Sequence, residues 1–287
     1  MLNLLVTGSK GQLGSEIKDL EKNYLKYNFF FTDSTSLDIT DHLKVKQFIK
    51  INKINIIINC AAYTDVDKAE YQFDLANKVN NIAVYNLARI SKEYNIKLVH
   101  ISTDYVFDGN KKNLYVENDM PNPKSVYGQT KLDGEFAIKS VSPVNCLIIR
   151  TSWLYSKKNN NFVKKILELS ERKNEINVVY DQIGSPTNAS DLAKVIITIL
   201  PKITNKTVKL YHYSNVGQCS RYDFAKEIFR IRNIDTNLNP ITTILSSNFA
   251  ERPSFSALDS STIKNKFNLV IPNWKKSLCS SLTSFYE

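Results

Sequence analysis

The sequence predicts an α/β protein, a doubly wound parallel sheet with a smaller C-terminal lobe. Three observations carry that prediction. Short, almost continuous apolar runs recur through the first half of the chain, the mark of strands buried on both faces. Each is followed by a helical pattern, and repeated strand–helix units imply a parallel sheet with right-handed crossovers. Between the first strand and the first helix lies a glycine-rich turn, Gly8-Ser9-Lys10-Gly11-Gln12-Leu13-Gly14.

The elements follow in order. Residues 2–6 read as a buried strand, and a helical pattern runs on through Ile17 and Leu20. Strand, glycine turn and helix form a Rossmann-like dinucleotide site. The glycines admit backbone close to a pyrophosphate, and the new helix points free N–H groups at it. The spacing is Gly-x-x-Gly-x-x-Gly, which a plain helix-entry turn also satisfies. Residues 29–32 read as the second strand, ending at Asp33, about 20 residues beyond the glycines, where such folds place a carboxylate on the adenosine ribose. An ordinary turn aspartate is the other reading of Asp33, because Asp33-Ser34-Thr35-Ser36 is turn-like. Thr40 or Asp41 caps the next helix.

Residues 54–59 form a third strand, followed by the small residues Cys60, Ala61 and Ala62, and then by a long amphipathic helix over about 75–94. The fourth strand, 98–102, ends in Ser102-Thr103-Asp104, and ligands of open parallel sheets bind beyond such carboxyl ends. A Pro/Asn-rich loop leads to Ser125-Val126-Tyr127-Gly128-Gln129-Thr130-Lys131, which starts a helix. A fifth strand spans 146–150. Beyond it the elements are shorter and mixed: helices over 162–169, 189–200 and 221–231, with strand-like 178–180 and 210–214. The division expected is 1–150 for the dinucleotide-binding domain and 151–287 mainly for a substrate lobe, with some segments returning to the first domain.

Tyr127 and Lys131 carry the chemistry. At i and i+4 they share one helical face. A phenol titrates near 10, too high for easy proton exchange at neutral pH, and a neighbouring cation favours the phenolate. The pair then reads as a tuned general acid/base. In a chain with 15 tyrosines an ordinary helical pair is the competing reading.

Bulk composition narrows the class. The chain of 287 residues is 43% hydrophobic and 23% charged, the balance of a globular protein with a substantial core. Its formal charge of +10 is spread over dispersed lysines without a basic–aromatic array, which favours anionic small molecules over nucleic acid. No stretch approaches a membrane span, and the short apolar start lacks a basic leader. Cys60, Cys146, Cys219 and Cys279 are scattered, so a reduced, cytoplasmic protein is expected. His42, His100 and His212 have no partners at metal-ligand spacing, so no metal site is read from the residues.

Taken together these segments resemble the dTDP-4-dehydrorhamnose reductase family of the extended short-chain dehydrogenase/reductases. The segments, in order, are Thr7-Gly8-x-x-Gly11-Gln12-Leu13-Gly14, Asn59-Cys60-Ala61-Ala62-Tyr63-Thr64, Ser102 to Phe107, Tyr127 to Lys131, Arg150-Thr151-Ser152-Trp153, Asp181-Gln182-x-Gly184-x-Pro186-Thr187 and Arg252-Pro253 with Leu258-Asp259. Their order and spacing cover nearly the whole chain. The resemblance implies NADPH- or NADH-dependent reduction of the 4-keto group of a dTDP-4-keto-6-deoxysugar, for cell-surface polysaccharide synthesis. It also implies roles. Gly11, Gln12 and Leu13 carry the pyrophosphate, and Asp38 and Ile39 lie near the adenine. Ala62, Tyr63 and Thr64 line the nicotinamide side. Tyr127 gives the proton, Lys131 holds the nicotinamide ribose and keeps the tyrosine acidic, and Thr103 and Asp104 contact the sugar, with the Thr103 hydroxyl beside the reacting oxygen.

Trp153 faces the substrate in this resemblance, with plain core as the other reading. Arg252 is a candidate for the substrate diphosphate, because guanidinium suits phosphate bidentately, or else forms a surface salt bridge. Some members of the family hold Mg²⁺ between the subunits of a homodimer through glutamates. Glu16 matches one of those positions, and the others have no assigned counterpart. Arg221 stands in Cys219-Ser220-Arg221-Tyr222 where the family commonly has an aromatic. An epimerase or dehydratase on the same scaffold, or a non-catalytic nucleotide-binding regulatory subunit, are the alternative functions.

Overall fold

The computed structural model describes residues 1–244 and 249–283. Eight strands and seven helices define the frame. The strands are β1 (Leu2–Thr7), β2 (Tyr27–Phe31), β3 (Ile56–Asn59), β4 (Lys97–Thr103), β5 (Cys146–Thr151), β6 (Glu175–Val179), β7 (Lys209–His212) and β8 (Asn237–Ile241). The helices are α1 (Gln12–Asp19), α2 (His42–Ile51), α3 (Ala83–Glu93), α4 (Val126–Val141), α5 (Phe162–Arg172), α6 (Ala189–Ile199) and α7 (Arg221–Arg232).

Six strands form one sheet in the order β7-β5-β4-β3-β1-β2, and every neighbouring pair is parallel. The chain steps from β1 to β2 on one side and to β3 on the other. The cleft where strand order reverses therefore opens beyond the carboxyl ends of β1 and β3, where ligands of open α/β sheets sit. The apolar runs are long enough to be buried on both faces, and the two faces carry separate cores. One gathers Leu4, Val6 and Ile58 with α1 and α6, and the other gathers Leu5, Ile57 and Leu98 with α2, α3 and α4.

Two segments of the expected lobe lie with the sheet. β7 pairs with β5, and α6 packs on α1. The rest, α5, β6, α7, β8 and a C-terminal helix Trp274–Thr283, has its own core around Phe224, Ile228 and Leu278.

The expected helix over 75–94 is present, with an irregularity in it. Phe73–Asn77 is α-helical, Lys78–Ile82 forms a π turn, and α3 continues from Ala83. A π turn inserts one extra residue into the helical ladder. It brings Asn80 fully inward, where its side chain accepts from Tyr63 N–H (2.9 Å) and donates to Tyr63 O (3.1 Å) and Thr130 Oγ1 (3.1 Å). Among the described residues no helix is long and apolar enough to cross a membrane.

Candidate active site

The site is a cleft of about 1490 Å³ between the sheet's carboxyl edge and the lobe. Its floor begins at the glycine turn. Gly8 has φ +64°, and a Cβ there would lie 2.6 Å from Ala61 N. A Cβ at Gly14 would lie 2.5 Å from Gly8 O. Glycine is therefore required at both positions to seat α1 and β3 against the turn. Gly11, in contrast, closes the turn through its N–H to Gly8 O (2.9 Å) and faces the cleft. Gln12 and Leu13 start α1 there. Gln12 Nε2 donates to Leu154 O (3.3 Å), while its Oε1 is buried without a partner.

At the far end of this floor Asp33 performs the turn role. Its Oδ1 accepts from Thr35 N–H (3.0 Å) and Ser36 N–H (2.9 Å), and its Oδ2 pairs with Lys10. Lys10 first, then Thr35 and Ser36, hold the carboxyl well below the usual range. Asp33 lines the cleft as well. Asp38 caps the local turn through Thr40 N–H (2.9 Å), and Ile39 is buried beside it, both on the cleft wall. Ala62, Tyr63 and Thr64 line the opposite wall, and Asn80 clamps both main-chain groups of Tyr63.

α4 delivers Tyr127 and Lys131 to the cleft. Ser125 caps it by accepting from Gly128 N–H (3.1 Å). Gly128 lets the first turn seat on the 104–106 turn, since a Cβ there would lie 2.2 Å from Tyr105 O. Tyr127 lines the cleft with its ring edge-to-face on Tyr105, the centroids 5.7 Å apart. Lys131, 2% exposed, donates from Nζ to Ile101 O (2.6 Å) and lies 3.5 Å from His100 Nε2.

The expectation that Lys131 lowers the tyrosine's pKa is not met. Burial dominates and pushes the Tyr127 phenol above its ordinary value, with a hydrogen bond to Thr103 opposing it only in part. The Lys131 ammonium is held against the Ile101 carbonyl and pulled down to about 8 by its own burial. The result is a tyrosine kept protonated. Neighbouring Cys60 is no competing nucleophile, because burial pushes its thiol up to about 12.

Thr103 and Asp104 sit at the end of β4 beside Tyr127. Asp104 Oδ1 accepts from Thr103 Oγ1 (3.2 Å), and Oδ2 is buried without a partner. Burial raises this carboxyl to about 6, against hydrogen bonding from Ser256. Trp153 has φ +45°, a conformation rare outside glycine, and is held there by packing. A Cβ on Gly184 would come within 2.4 Å of the indole, and the Arg221 guanidinium lies 3.6 Å over the ring. Arg252 also lines the cleft, where Nη2 reaches both oxygens of Asp67 (3.0 and 2.8 Å) and Nη1 donates to Ala250 O (2.9 Å).

The sequence reading misses the residues behind the pair. In-step register puts Thr7, Asn59 and His100 side by side across β1, β3 and β4. Thr7 Oγ1 donates to Asn59 Oδ1 (2.6 Å), and Asn59 Nδ2 lies 3.0 Å from His100 Nδ1. Further along, Glu135 of α4 accepts from Ser102 Oγ (2.6 Å) and from Arg150 Nε (2.8 Å) and Nη2 (2.7 Å), all of them buried. The signal available for both clusters is a polar residue near the end of an apolar run. Among the described residues no group of three or more His, Cys, Asp or Glu side chains could hold a metal ion. Glu16 is buried on α1, and burial, then Asp19, raises its carboxyl.

The cleft suits a nicotinamide dinucleotide. Glycine backbone is open at the turn, an unpartnered Gln12 Oε1 lies beside it, and a lysine and a tyrosine stand at the other end. Fold and site together define an extended short-chain dehydrogenase/reductase. The family model for the RmlD substrate binding domain matches residues 2–287. The dTDP-4-dehydrorhamnose reductase of Aggregatibacter actinomycetemcomitans is 40% identical, over 97% of each chain. A crystal structure of the enzyme of that name from Clostridium acetobutylicum superposes with TM-score 0.94, 41% identity and full coverage of both chains. Another, from Bacillus anthracis in complex with NADP, gives 0.93 and 38%, over 99% of this chain and 100% of that one. The chain belongs to the dTDP-4-dehydrorhamnose reductase family.

Proposed function

We propose that the chain reduces the 4-keto group of dTDP-4-dehydro-β-L-rhamnose to give dTDP-L-rhamnose, a precursor for cell-surface polysaccharide. The observation that carries this reading is the convergence of Tyr127, Thr103 and Lys131 on one cleft with the glycine turn. Reduced nicotinamide, when bound, supplies hydride to the carbonyl carbon. Gly11, Gln12 and Leu13 would hold its pyrophosphate at the start of α1, and Lys131 would hold the nicotinamide ribose. At the adenosine end the Asp33 carboxylate suits a free 2′-hydroxyl and Lys10 a 2′-phosphate, so NADH and NADPH are both accepted.

The protein's part is proton chemistry and positioning. Charge builds on the ketone oxygen as its carbon is reduced, so a donor must already point at it. Tyr127, kept protonated by burial, gives its hydrogen to that oxygen, and the bond from phenol to hydrogen breaks as the alcohol forms. The Thr103 hydroxyl, turning its one hydrogen away from Asp104 Oδ1, donates to the same oxygen and fixes its direction. Asp104, with one oxygen unpartnered, accepts from a sugar hydroxyl.

The test follows loss of reduced-nicotinamide absorbance with dTDP-4-keto-6-deoxysugar for wild type and Tyr127→Phe. Turnover falls about 10²- to 10⁴-fold in the variant, the usual worth of a general acid. Undiminished turnover overturns the mechanism.

A further inference from the structure

Arg221 is a cleft-lining cation that forms no ion pair among the described residues. Its guanidinium lies 3.6 Å from the centroid of Trp153 and 5.2 Å from that of Phe162. Among the described residues no carboxylate lies within 4.0 Å of it. The other cations of the cleft are engaged or exposed. Lys10 is tied to Asp33, Lys131 to the Ile101 carbonyl and Arg252 to Asp67, while Lys165 stands out in solvent. Burial lowers the affinity of Arg221 for its proton, with Tyr105 and Asp104 opposing. Keeping an enclosed charge unpaired is costly, and the cost is recovered when an anion arrives.

The surroundings hold the guanidinium rather than satisfy it. Trp153 is fixed in a left-handed conformation, with Gly184 leaving room for its indole. Arginine stacks on such a face and keeps its N–H fork free for planar oxygen pairs. The adjacent start of α7 offers less, because Ser220 and Asp223 form a capping box there and Asp223 answers the helix's positive end. Tyr127, Asp104 and Arg221 all line the same cleft. The Asp104 carboxylate acts electrically on both Tyr127 and Arg221.

We propose that Arg221, held flat on Trp153, is the anchor for the diphosphate of the sugar nucleotide. This rests on the reductase reading and extends it to a residue that sets substrate binding. Trp153 lines the cleft itself, and its ring also supports the arginine.

The test measures calorimetric binding of dTDP, thymidine and inorganic pyrophosphate with the cofactor site saturated by NADP⁺. Wild type is expected to prefer dTDP to thymidine by roughly 10- to 100-fold, the worth of charge-assisted hydrogen bonds. Arg221→Gln is expected to lose that preference while keeping thymidine affinity, and Arg221→Lys to recover part of it. Retained NADP⁺ binding shows that the variants are folded. A variant that binds dTDP like wild type, or that loses thymidine by the same factor, overturns the anchor. Wild type that ignores dTDP but binds pyrophosphate, with the binding lost in Arg221→Gln, keeps the anchor and overturns the dTDP-sugar reading. Wild type that binds none of the three probes overturns both.

Discussion

Lys131 Nζ lies 2.6 Å from the carbonyl oxygen of Ile101, on the strand behind it, so this lysine is anchored to the sheet as well as to its own helix. That anchoring keeps the ammonium in a buried place where it titrates near 8 instead of 10.5. An unfolded chain binds this proton more tightly than the folded one between those values. Stability therefore rises with pH across the window from 8 to 10.5, and the contribution is absent below 8. Its full size is on the order of 3 kcal/mol. Lys131→Met is expected to abolish turnover and to flatten that rise. Calorimetric melting at a series of pH values checks it, and a wild-type slope in the variant contradicts it.

Asp104 gives the opposite slope. Its carboxyl is raised from 3.8 to about 6 by burial, so the folded state holds the proton more tightly. Stability from the protonated form is fully present below 3.8 and is lost as pH rises through 6. Asp104→Asn is expected to stabilise the protein near neutral pH by up to about 3 kcal/mol and to remove the slope. It is also expected to raise KM for the sugar nucleotide. Urea titrations on either side of pH 6 and steady-state kinetics supply the readouts.

Glu135 and Arg150 form a buried pair with both side chains essentially inaccessible. Removing one partner strands the other's charge, at about 3–5 kcal/mol. Arg150→Met or Glu135→Leu alone is therefore expected to cost more than the two together. A double-mutant cycle by denaturant unfolding measures this, and additive single effects would refute it.

Gly184→Ala places a methyl within 2.4 Å of the Trp153 indole. Overpacking of this kind typically costs about 1–3 kcal/mol. The indole and the arginine on it must move, so KM for the sugar nucleotide is expected to rise more than kcat falls. Unchanged kinetics would show that the indole's position is immaterial to binding.

What is legible in the sequence is local. The glycine turn, the first five strands and the Tyr127–Lys131 spacing are read from periodicity and short motifs, because strand, turn and helix entry are decided by neighbouring residues. The residues behind the site are not local. Asp67 and Arg252 are separated by 185 positions, and only the fold brings them together. Thr7, Asn59 and His100 become neighbours through strand register alone. The direction of the Tyr127 shift is equally invisible, because burial is its largest cause and burial is a property of the assembled cleft. The π turn is hidden too, since its apolar spacing reads as one helix.

The extra residue in Lys78–Ile82 puts the helical stretches before and after it out of phase by about 100°. One stretch can then match the nucleotide-side loop while the next matches the sheet, with Asn80 as the hinge pin between two gears. Excising a single amino acid there would restore a regular coil. The same cut would swing the Tyr63 loop away from Thr130, so the gain in regularity would come at the expense of the catalytic cleft.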